Sequence, residues 1–368
     1  MHIARPSEMS PALSVYLDLL RFLAAAAVFL LHAGFHRISG GLPGLWHLSV
    51  FGDDAVMLFF VLSGFVIAHV AARGENRPAP YLAARLARLW SVCVPALALT
   101  AALDAVGMRL APQLYAFELY EYSHPAARLA ACLLFLHELW FWSIQPFTNT
   151  PYWSIGYEFW YYLLFAAALF TRGRRRVAAV ALVALAMGPK IALLLPVWLG
   201  GVWACRTPLA DRLPRPAAVA LCTATLALYL AYRFSLLQET LDALTLQWIG
   251  PVWLARLGFS QHFLANYLVG TLVTLHFVGA RRLLRDAAAP PAALERPIRW
   301  LAGLTFALYL FHQPLLQFFG ALADGLGLVE QRRLLVVLGP LPVVALLGPL
   351  AERGKAPLRR WLMRMAGR

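Results

Sequence analysis

The chain is poor in charge. Only 14% of its 368 residues are Asp, Glu, Lys or Arg, and 61% are hydrophobic, against roughly a quarter and about 45–50% in soluble domains. One water-soluble core of this size cannot hide so many apolar side chains. Cysteine is scarce as well. Cys93, Cys132, Cys205 and Cys222 all lie in apolar segments and form no CxxC; they read as reduced packing residues, and neither a disulfide framework nor a metal site is expected. There is no internal repeat and no low-complexity tract. A cleaved signal peptide is disfavoured, because the first apolar stretch contains Asp18 and Arg21 and no small-residue cleavage pattern follows it.

What the chain does have is long, nearly charge-free runs such as Val177–Met187, Ala217–Leu230 and Leu334–Leu350. An apolar helix of about 20 residues spans the roughly 30 Å hydrocarbon core of a bilayer. Candidate spans fall at 16–34, 54–72, 89–107, 152–170, 177–189, 190–205, 216–232, 262–280, 300–320 and 334–350, with Pro189 and Lys190 making a tight turn between the fifth and sixth. The expected fold is therefore all-α, a polytopic transmembrane bundle of about ten spanning helices in one domain, 1–368, with no appended soluble domain. The apolar segment 129–142 is short for a crossing and is expected as a re-entrant or interfacial helix. The segments 108–128 and 233–261 read as loops at the outer mouth.

A net charge of +14 raises the question of nucleic acid. The basic residues, however, sit in short loops between apolar runs, which is the positive-inside pattern of membrane proteins. With the N-terminus inside and sides alternating, 23 basic residues fall inside and 8 outside, leaving Arg21 within the membrane. Both termini are thus expected in the cytoplasm, and no nucleic-acid partner is expected.

Several polar residues lie where a simple anchor would not tolerate them. In the first span, Arg21 and His32 are eleven residues apart; three helical turns put them on one face, roughly 16 Å apart along the axis. Asp18, three residues before Arg21, can pair with it. Ionisable groups inside a span are costly unless they face protein or water, so they point to function by default. Arg85 and Arg88 project from one face at the inner end of the third span, a reasonable grip for a phosphorylated cytosolic donor; the bland alternative is anchoring on lipid headgroups. The run from Thr150 to Tyr162 holds Trp153 and Ser154, then Glu158 about one and a half turns into a span. Tyr152, Trp153 and Trp160 suit an interfacial aromatic belt. Glu158 is expected at the depth of His32, where the two could orient each other or share a proton. Tyr309 and His312 lie in another span, ahead of Pro314, with packing and pocket-lining roles about equally favoured. Ser63 and Gly64 form a small pair that permits close helix approach.

Together these stretches resemble the acyltransferase family 3 membrane proteins, the group of bacterial O-antigen and exopolysaccharide O-acyltransferases. The resemblance runs from Tyr16 to about Arg360. It rests on Arg21-x10-His32, the FFVLSGF stretch Phe59–Phe65, the arginine pair, the WSxxxE run ending at Glu158, the YLFHQP stretch Tyr309–Pro314, and Glu352 with Pro357 and Arg359. Two places depart from the family pattern. Gly52-Asp53-Asp54-Ala55 is more acidic than usual, and Ile-Gly-Tyr follows Ser154.

The resemblance implies a multi-pass enzyme of the bacterial cytoplasmic (inner) membrane. It would move an acyl group, most often acetyl, from cytosolic acyl-CoA to a hydroxyl of a carbohydrate or glycolipid acceptor at the outer face, as in O-acetylation of polysaccharide or lipopolysaccharide. Acyl-CoA (acetyl-CoA) is then a co-substrate, no cofactor is bound permanently, and membrane lipids surround the bundle. His32 and Glu158 would be catalytic, with Arg21, Arg85 and Arg88 holding the donor. Asp18, Ser63, Trp153, Ser154, Tyr309 and His312 would support or line the pocket. Direct transfer and a covalent acyl-His32 relay both fit. The rival reading is a proton-coupled secondary transporter or exporter using the same residues; it is disfavoured because no paired short or interrupted spans stand in matching halves.

Overall fold

The computed structural model describes residues 9–44, 48, 50–73 and 77–367. Among them the long elements are all helices: α1 (Pro11–Ala33), α2 (Gly52–Arg73), α3 (Pro78–Leu110), α4 (Trp153–Phe170), α5 (Gly173–Arg206), α6 (Arg215–Arg233), α7 (Leu237–Leu257), α8 (Phe263–Leu284), α9 (Ala292–Gly325), α10 (Pro340–Arg353) and α11 (Lys355–Met365). By length and composition, eight helical stretches among the described residues can cross a membrane. They are α1, α2, α3, α5, α6, Leu237–Leu284 (α7 and α8), α9, and Arg332–Met365 (with α10 and α11). The fold is the expected all-α polytopic bundle.

Local chemistry sets several helix ends. Ser10 caps α1, its side chain accepting from the Leu13 N–H at 3.1 Å, and Pro11 occupies the first turn. The element α5 is two helices joined at Gly188, whose φ of +78° breaks the helix before Pro189. A Cβ at Gly188 would lie 2.5 Å from the Trp140 backbone, so glycine is required there on two counts. The far end of α5 returns to where the element starts, because the Arg206 guanidinium lies 5.3 Å from the Phe165 ring near the end of α4. The expected pair of spans either side of Pro189 is thus a helical hairpin. Counting this hairpin as two and adding the central helix α4 gives ten long helical segments among the described residues, in line with the expected bundle of about ten.

Helices α2 and α5 approach until side chains no longer separate them. A Cβ on Gly64 would lie 2.0 Å from the Trp198 carbonyl oxygen, and one on Gly201 would lie 1.8 Å from that of Val61. This is the close contact that small residues allow between membrane helices. At the centre stands α4. Its Tyr161 hydroxyl donates to the Ile191 carbonyl at 2.8 Å, and its Tyr157 hydroxyl meets Ser260 Oγ at 2.9 Å.

Two expectations need correction. The segment 129–142 is not one helix. A short helix ends at Leu133, and the chain then runs irregularly to Asn149. Positive φ at Phe135 and Trp140 stops the helix, and buried polar contacts hold the irregular path instead. Glu138 pairs with Lys190 at the Gly188 turn, with Ser143 Oγ 3.1 Å from the carboxylate and 2.9 Å from the ammonium. Burial pushes the Glu138 carboxyl up to about 7, although Lys190 pulls it back. Nor is 233–261 a simple loop. Most of it is α7, two helical pieces joined at a kink at Gly250 (φ +73°) ahead of Pro251.

Candidate functional site

Two neighbouring cavities inside the bundle carry polar side chains in their walls. The first, about 70 Å³, is lined by Arg21, Arg88, Glu158, Tyr162, Ser63 and Ser154 among others. The second, about 310 Å³, is lined by His32, Trp153, Asp53, Gln261, His262 and Asn266 among others. Val56 and Tyr309 belong to both walls. The helical register of α1 explains the layout: one face delivers Arg21 to the first cavity and His32, three turns on, to the second.

The arginine cavity is built around the Glu158 carboxylate. Glu158 Oε1 accepts from Ser63 Oγ at 2.7 Å and from the Tyr162 hydroxyl. Ser63 in turn accepts from Trp198 Nε1 at 3.2 Å. Arg21 and Arg88 both lie within electrostatic reach of Glu158. Asp18 pairs with Arg21 at 3.4 Å and with Arg299 at 2.8 Å, so it is a bridge at the α1–α9 contact and does not line the cavity. Arg85 differs from Arg88: its guanidinium lies 5.5 Å from the Tyr81 ring and is absent from the cavity wall.

The histidine cavity has a different logic. His32 Nδ1 lies 2.9 Å from the Val28 carbonyl and 3.2 Å from Nε2 of His312. His312 Nδ1 lies 2.8 Å from the Tyr309 carbonyl and 3.1 Å from that of Leu308. A carbonyl only accepts, so each Nδ1 carries its proton in the neutral pair, and His312 Nε2 is the acceptor. His32 Nε2 is then left as a lone-pair nitrogen with no hydrogen bond to a described residue, on a side chain that lines the cavity. Tyr309 joins the compartments, its hydroxyl 2.8 Å from Ser154 Oγ and 3.1 Å from the Pro151 carbonyl.

The structure therefore regroups the residues singled out in the sequence. Arg21, Arg88, Glu158, Ser63 and Ser154 come together; His32 and His312 come together; Tyr309 bridges. The expected pairing of His32 with Glu158 is not formed. Glu158 is on the wall of the arginine cavity and His32 on that of the other, because α4 packs its Glu158 face onto Ser63 of α2. Trp153 is not a membrane-interface residue. It is 8% exposed and stacks on Phe259, with ring centroids 4.8 Å apart and planes 4° apart. Asp53, Gln238, Gln261, His262 and Asn266 are not assigned to a site from the sequence, since they come from α2, α7, the turn between α7 and α8, and the start of α8, and meet only in the fold. Among the described residues no group of three or more His, Cys, Asp or Glu is placed to hold a metal ion.

Residues 14–351 match the family described as an acyltransferase domain. The chain belongs to the acyltransferase family 3 membrane proteins. It is also 39% identical over 100 residues to "Protein 2 in picA locus" of Rhizobium radiobacter, a stretch covering 26% of this chain and 48% of that protein. The chain thus spans about half the length of the curated relative it matches. No solved structure matches it.

Proposed function

We propose that the protein is a membrane acyltransferase carrying an acyl group, most simply acetyl, from cytosolic acyl-CoA to a hydroxyl of a carbohydrate or glycolipid acceptor at the opposite face. Family membership supports the reaction class. The observation that carries the mechanism is the pair of cavities joined at Val56 and Tyr309, with arginines on one side and an unengaged imidazole nitrogen on the other. The arginine end is taken as cytoplasmic, in the inner membrane of a bacterium with both termini inside, from the 23-to-8 division of basic residues.

In this reading Arg88 and Arg21 meet the donor's phosphates as it enters, and Arg85 supports from behind Tyr81. Guanidinium groups suit phosphate because their planar forks donate two parallel hydrogen bonds. The pantetheine arm enters by way of the first cavity, which at about 70 Å³ has to widen to admit it, and brings the thioester to the junction. His32 Nε2 accepts the proton of the acceptor hydroxyl as its oxygen attacks the thioester carbonyl. The tetrahedral intermediate collapses, the C–S bond breaks, and the departing sulfur takes the proton back from Nε2. The products are the ester and free CoA. While His32 holds the extra proton, its Nδ1–H stays bonded to His312 Nε2 and the Val28 carbonyl, which disperses the charge. His312 is thus a positioning residue, taking the part that the sequence assigns to Glu158. Glu158 instead fixes the arginine cavity through Ser63 and Tyr162. An acyl-His32 relay uses the same free nitrogen as nucleophile.

The reading is tested with purified protein in nanodiscs, labelled acetyl-CoA and extracted surface polysaccharide. Label should enter the glycan with wild type and fall to background with His32→Ala. Equal transfer by both sinks the assignment. Solute counterflow in proteoliposomes with no acyl transfer would favour the transporter.

A further inference from the structure

The acidic stretch at the start of α2 splits into two roles. Asp54 reaches the wall of the histidine cavity but is tied up structurally: it is 7% exposed, lies 3.3 Å from the Arg233 guanidinium and accepts from the Tyr229 hydroxyl at 3.1 Å. Asp53, one residue earlier, is exposed and lines the histidine cavity. It feels the charges of Arg233 and His262 but makes no hydrogen bond or ion pair with another described residue. Facing the same space are the amides of Gln238, Gln261 and Asn266, and the stacked Trp153 and Phe259. His262 is held by Asp242, Nδ1 to Oδ1 at 2.8 Å.

From this wall we infer an acceptor subsite for a neutral polyhydroxylated ring, with Asp53 as the carboxylate that receives its hydroxyls; the inference rests on the acyltransferase reading above. A carboxylate offers two oxygens to adjacent hydroxyl groups, and side-chain amides supply both donors and acceptors, which suits a ring bearing several hydroxyls. The apolar face of such a ring packs on an aromatic platform such as Trp153 and Phe259. An unpaired carboxylate also repels a ligand carboxylate or phosphate brought close to it. Asp53 therefore selects against acidic acceptors. His32 lines the same cavity and is the base of the proposed reaction, so Asp53 is assigned to orienting the ring.

The test reads binding without turnover. Saturation-transfer NMR is run on the full chain in nanodiscs with the methyl glycosides of glucose, galactose and N-acetylglucosamine and with methyl glucuronide. Wild type should transfer saturation to at least one neutral glycoside and much less to the glucuronide. Asp53→Asn should weaken the neutral signal about tenfold, the loss of one charge-assisted hydrogen bond, and should close the gap to the glucuronide. Donor binding and melting temperature should stay as in wild type, whereas Asp54→Asn should lower the melting temperature. Saturation that is the same in wild type and Asp53→Asn, glucuronide signal equal to neutral in wild type, or no signal from any glycoside overturns the subsite. Glycoside binding that needs Asp53, in a protein that transfers no acyl group, would instead overturn the enzymatic reading and leave the subsite standing.

Discussion

Nδ1 of His32 lies 3.2 Å from Nε2 of His312, and the His312 ring is itself pinned through Nδ1 to the carbonyls of Leu308 and Tyr309. This chain of contacts fixes which nitrogen of His32 carries a proton. It also ties the first helix to α9, the two elements that carry the cavity junction and its base.

Removing the positioning histidine should slow the chemical step and spare binding. His312→Ala is expected to lower kcat roughly 10- to 100-fold, about 1.4–2.7 kcal/mol in the barrier, with both KM values nearly unchanged. His312→Gln, which keeps an acceptor near Nδ1 of His32, should recover part of the loss. A large rise in acceptor KM with normal kcat would place His312 in binding instead.

The two arginines of the third helix should separate. Arg88 lines the cavity and Arg85 packs on Tyr81. Arg88→Ala should raise the KM for acetyl-CoA by about tenfold or more, since a hydrogen bond to a charged group contributes about 1.5–3 kcal/mol. Arg85→Ala should have a clearly smaller effect. Steady-state kinetics over a range of acetyl-CoA concentrations decides it, and the reverse order would contradict the cavity assignment.

Helix packing gives a stability prediction with an internal control. Gly64→Ala and Gly201→Ala each place a methyl group about 2 Å from a backbone carbonyl oxygen on the facing helix. Overpacking of this kind costs about 1–3 kcal/mol, occasionally more, so both should melt lower or fail to accumulate. At Gly303 a Cβ meets nothing within 4 Å, and Gly303→Ala should be close to neutral in the same thermal-shift assay.

The buried pair behind the Gly188 turn predicts a pH effect. Lys190→Met leaves Glu138 in a fully buried site without its cation, a change that typically costs about 3–5 kcal/mol. Burial raises the folded-state affinity of Glu138 for a proton, to about 7 even with Lys190 present. A raised folded pKa stabilises the fold at low pH, and that contribution is lost as pH rises through the folded value. The deficit of Lys190→Met relative to wild type should therefore be smaller at pH 5.5 than at pH 8.5. Melting curves at the two pH values check the sign, and an equal deficit would rule out ionised Glu138 as its cause.

How much of this was legible in the sequence depends on range. Apolar runs and loop charges revealed the bundle, because crossing a bilayer imposes length and composition on each segment separately. The shared face of Arg21 and His32 followed from helical periodicity alone. The hairpin at Gly188 was visible as two spans around Pro189 because proline marks the break. The partner of His32 was not visible: depth in the membrane can be guessed from position in a span, but which helices touch cannot, and Glu158 turned to Ser63 while His312 came from 280 residues away. The irregular path of 134–149 was hidden for a related reason, since its buried Glu138 is stabilised by Lys190, which is remote in sequence. The acidic start of the second helix looked like a departure from the family pattern and became informative only when Asp54 met Arg233 and Asp53 did not.

The central claim is that acyl transfer runs across the bundle, from the Arg88 side to the His32 side. Inverted membrane vesicles expose the cytoplasmic face, and an acceptor glycan can be sealed in their lumen. With labelled acetyl-CoA added only outside, the account predicts label on the luminal glycan with wild type, and background levels with His32→Ala or in vesicles of the opposite orientation. Label on glycan added outside but not on glycan inside, or luminal labelling that persists in His32→Ala, would contradict it.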